Sequence, residues 1–313
     1  MIAAIVVVAC ATATSTTTVP SQSSPTATTT PTPSPTPPPE VVLIADSELA
    51  WESDLKALAA QRGWVLTRAD PSGAVAYLRE ARPHIAAVVS NQETLDGDLQ
   101  QAAAEGIPIV LVNAPGIEAG SLLSTVGNLR HDQAGFLAGV MIGLASETGW
   151  VGQVTATGGP DETAYNAGFT QGLLWGCPKC QLVSQTAAEL TLDGFRAKGV
   201  DVVFPFPGST TDDAAGVLAG GGIPMVWVGE GGPPQEALIG RLVFEDGPLV
   251  SLALENLLTT REGQAWQPSI ESHSLLPVDI SSEFLSPGRQ RLLEEAYEAI
   301  AAGELDIGTI LDA

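Results

Sequence analysis

Several short apolar runs in this 313-residue chain end in residues that can hold a small polar molecule. Asp46 and Ser47 follow "VVLIA" (41–45), Ser90 and Asn91 close "HIAAVVS" (84–90), and Asn113 closes "IPIVLVN" (107–113). Further along stand Thr157, Asp161, Phe206, Gly208, Ser209 and Glu230. Carboxylates accept hydrogen bonds from vicinal hydroxyls, amides both donate and accept, and the rings of Trp51 and Phe206 offer stacking faces. Those are the parts of a binding pocket with a few convergent polar groups. Each has a plainer role open to it. Phe206, Trp51 and Tyr165 can pack in a core, and Asp46 can cap a helix.

Catalytic chemistry asks for other constellations, and they are missing from the sequence. There is no G-x-S-x-G, no phosphate-cradling glycine loop and no H-E-x-x-H. "LAGGGIP" (218–224) leads from a helical stretch into a strand, so it reads as a helix stop. His84, His131 and His273 are scattered without ligand spacing, and the pairs Asp212–Asp213 and Glu294–Glu295 fall on solvated helix faces. The expectation is a binding protein, without catalytic residues, metal or cofactor.

The elements that must carry these residues alternate. "VVLIA", "WVLTRA" (64–69), "HIAAVVS" and "IPIVLVN" are apolar runs separated by helical stretches near 49–62 and 72–81 and between 90 and 107. After "STVGNL" (124–129) the pattern restarts with a helix, then "VGQVTA" (151–156), a helix near 163–175, "QLVSQT" (181–186) and "VDVVFPF" (200–206). A helix near 211–220, "IPMVWVG" (223–229), "LIGRLVFED" (238–246), a helix at 247–262, a strand within 273–281 and a helix at 287–302 complete it. Repeated βα units with short connections form parallel doubly wound sheets. The fold expected is α/β, with two Rossmann-like lobes joined by a multi-strand hinge. Lobe 1 is assigned to 41–130 plus 233–270, and lobe 2 to 131–232 plus 271–313. Ligands on such sheets bind beyond the carboxyl ends of the strands, so two facing lobes share one cleft.

Residues 1–39 carry no charge. Residues 1–10 read as a truncated signal ending in "VVAC", similar to a lipobox with Cys10 as the lipidated residue. Residues 11–40, rich in Thr, Ser and Pro, cannot bury enough apolar area to order and read as a stiff tether. Beyond Cys10 the cysteines are Cys177 and Cys180, in "WGCPKCQ". A redox pair normally opens a helix and zinc needs two more ligands, whereas this pair follows a helical run, so a structural clip is expected. With 36 acidic against 13 basic residues and a net charge of −23, no basic face exists for nucleic acid.

"HDQAGFLAGVMIGLA" (131–145) spaces Gly135, Gly139 and Gly143 four apart, as in dimerising membrane helices. Its apolar run, 134–145, is too short to span a bilayer. The glycines are therefore expected to form a smooth stripe that sits close on the second-lobe sheet or the lobe junction.

Four stretches, in order, resemble the basic membrane protein family: "DQAGFLAGVMIGL", "WVGQVTATGGPDETAYNAGFTQGL", "GVDVVFPFPGSTTDDAAG" and "SPGRQRLLEEAYEAIAAGEL". The resemblance implies a lipid-anchored, extracytoplasmic solute-binding protein of an ABC importer with the periplasmic-binding type I fold. It further implies a monomer that captures a small molecule, often a purine nucleoside, and docks on a membrane permease. A ligand-sensing module of the same fold is the alternative. Two positions depart from the family: its aromatic-containing first loop is here "ADSELAWESD" (45–54), and its "GVD" is "VGEGG" (228–232), with Glu230 in the acidic place. The site expected is Asp46, Trp51, Asn91, Asn113, Phe206, Gly208, Ser209 and Glu230.

Overall fold

The computed structural model describes residues 38–89, 93–114, 116–156 and 160–307, the side chains of 93–96, 160, 209 and 210 excepted. Along the chain come β1 (Glu40–Ile44), α1 (Glu52–Arg62), β2 (Val65–Ala69), α2 (Ala74–Ala81), β3 (Ile85–Val89), α3 (Glu93–Ala104), β4 (Ile109–Val112) and β5 (Leu123–Val126). Next are α4 (His131–Ala145), β6 (Trp150–Thr155), α5 (Pro160–Gly176), β7 (Gln181–Thr186), α6 (Leu192–Arg196), β8 (Val202–Pro205), α7 (Ser209–Gly220), β9 (Met225–Val228) and β10 (Leu238–Phe244). The chain ends with α8 (Gly247–Thr260), β11 (Ala265–Trp266), β12 (Leu275–Val278) and α9 (Pro287–Ala301).

These strands form two six-stranded sheets. The first runs β2-β1-β3-β4-β5-β11, with every pair parallel. The second runs β7-β6-β8-β9-β10-β12 and is parallel except for the antiparallel pair β10–β12. Both are α/β doubly wound, with the strand order reversing between β1 and β3 and between β6 and β8. A continuous apolar strand such as β1, four of whose five residues are buried, needs cover on both faces. Leu55, Val250 and Leu254 cover one face of the first sheet, and Leu78, Leu99 and Ala102 cover the other.

The division between lobes differs from the expected one. The stretch 233–270 does not belong wholly to lobe 1, because β10 inserts between β9 and β12 of the second sheet. Its apolar pattern suits either sheet, and the pairing register decides. The chain thus crosses between lobes at 127–130, at Glu245–Asp246 and at 267–274. Backbone hydrogen bonds tie the crossings together: Arg130 N–H donates to Pro268 O (3.2 Å) and Glu245 N–H to Ser274 O (2.7 Å). Buried Gln133 adds to the clasp. Its carbonyl accepts from Ile270 N–H at 2.8 Å, and its amide donates to both Glu271 oxygens at 2.7 and 2.8 Å.

The glycine stripe of α4 meets a helix rather than the sheet. A Cβ on Gly135 would stand 2.2 Å from Tyr165 O, on Gly139 2.3 Å from Phe169 O, and on Gly143 3.0 Å from Cys177 N. The partner helix answers with its own stripe. A Cβ on Gly168 would lie 1.8 Å from Asp132 O, on Gly172 1.9 Å from Phe136 O, and on Gly176 2.8 Å from Val140 O. The two backbones are in direct contact along this seam. All of α4 after His131 is buried, as a helix apolar on every side requires. No helix among the described residues is long and apolar enough to cross a membrane. At the foot of α5, Cys177 and Cys180 are joined by a disulfide.

Candidate functional site

A cavity of about 460 Å³ opens where the two lobes face each other beside the middle crossing. That volume suits a small organic molecule. Its wall gathers at the carboxyl ends of strands: Glu48–Trp51 and Asp54 after β1, Asn113 after β4, Gly229 and Glu230 after β9, and Val243–Asp246 at the end of β10, with Gly247 and Pro248 opening α8. Parallel doubly wound sheets place ligands there.

Trp51 is the aromatic side chain that lobe 1 contributes to the lining, and its seat is built in two ways. Gly247, the first residue of α8, comes so close that a Cβ there would stand 2.4 Å from Trp51 Cβ. Below it, Glu52 is buried, with Lys56 Nζ at 3.0 Å and Arg68 in contact. The hydrogen bond from Lys56, opposed by burial and reinforced by Arg68, holds the Glu52 carboxyl below its usual range. Arg68 also donates to the carbonyls of Ala45 (3.3 Å) and Ser47, pinning the β1–α1 turn that presents Trp51.

On the opposite wall stands Phe244, whose neighbour His131 lies edge-on at 6.2 Å and stacks on Tyr165 at 4.8 Å. Between the walls sits Asp246. Its Oδ1 is buried with no hydrogen-bond partner among the described residues, and burial pushes its carboxyl up to about 6.

Of the expected residues, the cavity gathers Trp51, Asn113 and Glu230. Asn113 holds a left-handed φ of +59° and donates its N–H to Val126 O at 2.9 Å, which turns the chain at the rim. Asp46 lies outside the cavity lining, on an exposed bend where its carboxylate accepts from Ser47 Oγ at 3.2 Å, and α1 begins six residues later. Phe206 is not a stacking face. It is 1% exposed and packs against Tyr165, Phe169 and Phe204 with ring centroids 5.1–6.3 Å apart. Gly208 serves the start of α7, where its carbonyl accepts from Thr211 Oγ1 at 2.6 Å, away from the cavity lining. The Ser209 side chain, Asn91, Thr157 and Cys10 lie outside the described residues.

Glu48, Asp54, Phe244, Glu245 and Asp246 were not legible as site residues. Glu245 and Asp246 end "LIGRLVFED", so the strand-end rule that selected Glu230 covers them too. Only the placement of that strand in the second sheet delivers them to the crossing. Among the described residues, no group of three His, Cys, Asp or Glu could hold a metal.

No family model matches the chain, and no curated relative matches it. Solved structures do. An ABC transporter solute-binding protein from Conexibacter woesei aligns with a TM-score of 0.66 at 16% identity, over 86% of this chain and 98% of its own. A transcriptional activator of the comK gene from Bacillus halodurans aligns at 0.62 and 12% identity, over 84% and 97%. A periplasmic ABC solute-binding protein from Actinobacillus succinogenes with bound D-allose aligns at 0.55 and 15% identity, over 78% and 98%. The fold is that of the periplasmic-binding type I proteins.

Proposed function

We propose that the chain is an extracytoplasmic receptor that captures a small polar solute between its lobes, without transforming it, and delivers it to an ABC permease. The observation that carries this reading is the cavity's wall, which draws on both lobes and the crossing between them. A solute touching all three binds a closed arrangement better than an open one, and so shifts the population toward closure. The resemblance to basic membrane proteins supports a monomer, anchored by a lipid on Cys10 through the 11–40 tether. It also supports a nucleoside as one solute class, and the D-allose complex of a structural neighbour adds aldoses.

Titration calorimetry of the whole folded chain against nucleosides, sugars and amines tests the reading. Saturable binding that also lowers the radius of gyration in solution scattering is expected, and the absence of any bound solute overturns it. A sensory module is the second reading, favoured by the neighbour named as a transcriptional activator. Genes for a permease and an ATPase beside this one favour import, and an adjacent kinase or regulator gene favours sensing.

A further inference from the structure

We propose that the solute this cleft selects is a small organic cation carrying a protonated amine, rather than a neutral sugar or nucleoside. The inference rests on the receptor reading above and concerns the chemistry of the same cavity.

Five carboxylates line that cavity: Glu48, Asp54, Glu230, Glu245 and Asp246. Among the described residues, its wall holds no lysine, arginine or histidine. Lys56 and Arg68 are committed to Glu52 and Arg241 to Asp279, and the His131 ring lies 3.2 Å from Asp161. None of the five lining carboxylates has an ion pair among the described residues. Glu48, Asp54, Glu230 and Glu245 are exposed and Asp246 is partly buried, so a cationic occupant meets acceptors of one sign without displacing a protein cation.

Hydrogen-bond chemistry agrees. Ionised carboxylates only accept, and among the described lining side chains only the Asn113 amide and the Trp51 indole can donate. A sugar hydroxyl both donates and accepts, so this wall would leave its acceptor capacity poorly matched. An ammonium group donates three times and accepts nothing. Asp246, partly buried in the cavity lining, adds a carboxylate acceptor to the wall. Trp51 offers a face of the kind cations seek.

Calorimetry with glucosamine, spermidine and putrescine, against glucose, N-acetylglucosamine and adenosine, tests the inference. At least one of the three cations should bind 100-fold or more tighter than every neutral compound, and weaken as salt is raised from 20 to 500 mM. E230Q and D246N should each cost it about tenfold. Both variants remove a charge from an acidic cleft, and their melting temperatures confirm that they fold. Affinity should also rise with pH through about 6 in the parent and lose that rise in D246N. Preference for glucose or adenosine over all three cations overturns the cationic assignment and leaves the receptor standing. Binding of none of the six overturns the assignment, and extending the titration to anionic solutes then decides whether the receptor reading falls with it.

Discussion

Replacing Gly172 by alanine should loosen the second lobe, although alanine is the better helix former. A Cβ at this position would stand 1.9 Å from Phe136 O, 2.7 Å from Phe136 C and 3.0 Å from its Cα, all backbone atoms that cannot swing aside. Ordinary contact begins at 3.4 Å, so α5 must retreat from α4 by about 1.5 Å. A gap of about 0.5–1 Å already forfeits a quarter to a half of each dispersion contact. On the order of forty atom pairs span the seam through Phe136, Val140, Phe169 and Leu173, at about 0.15 kcal/mol each, so the loss is about 2–3 kcal/mol. Helix propensity returns about 1 kcal/mol. The net is about 1–2 kcal/mol of destabilisation, or a fall in Tm of about 3–6 °C for a domain of this size. Gly216 on α7 supplies the internal control, since a Cβ there meets nothing within 4 Å. Gly216→Ala should gain about 0.4–1 kcal/mol. Scanning calorimetry of both variants tests the pair, and a Gly172→Ala protein that melts at or above the parent would refute the interlocked seam. Gly139→Leu, facing Phe169 O, should destabilise more severely.

The remaining predictions concern the clasp, the clip and one acid. Asp246, with its carboxyl at about 6 when folded against about 3.9 unfolded, makes the ligand-free protein most stable below pH 4 with respect to this group. That contribution, at most about 3 kcal/mol, is lost as pH rises to about 6, so the difference between D246N and the parent in urea titrations should widen from pH 4 to 6 and then level. Gln133→Ala leaves Ile270 N–H and Glu271 without their partner at the crossing and should cost about 1–3 kcal/mol, read by denaturant unfolding. Cys177→Ser with Cys180→Ser opens a loop of only four residues and should cost no more than about 2 kcal/mol, with solute affinity unchanged by calorimetry.

Much of the architecture was legible because local rules act locally. Buried parallel strands need apolar residues throughout, so β1, β3, β4, β8 and β9 stand out as short apolar runs, and Gly63 and Gly303 mark helix stops through their left-handed φ of +68° and +70°. β11 is not legible in the sequence because two residues, Ala265 and Trp266, carry no period. The candidate site was legible only in part. Trp51, Asn113 and Glu230 follow strands and reach the cavity, whereas Phe206 follows β8 equally closely and turns into the core.

The sequence by itself determined the α/β alternation, the strand ends as the source of polar groups, and the shortness of the α4 run relative to a bilayer. Those properties depend on residue type and period, which a linear chain displays in full. Tertiary structure alone decided that β10 joins the second sheet, that the glycines of α4 face a second glycine stripe on α5, and that Asp246 reaches the cleft. Each is a choice among partners of equal local quality. An apolar strand fits either sheet and a smooth helix face fits any close neighbour, so which surfaces meet is set by the packing of the whole domain.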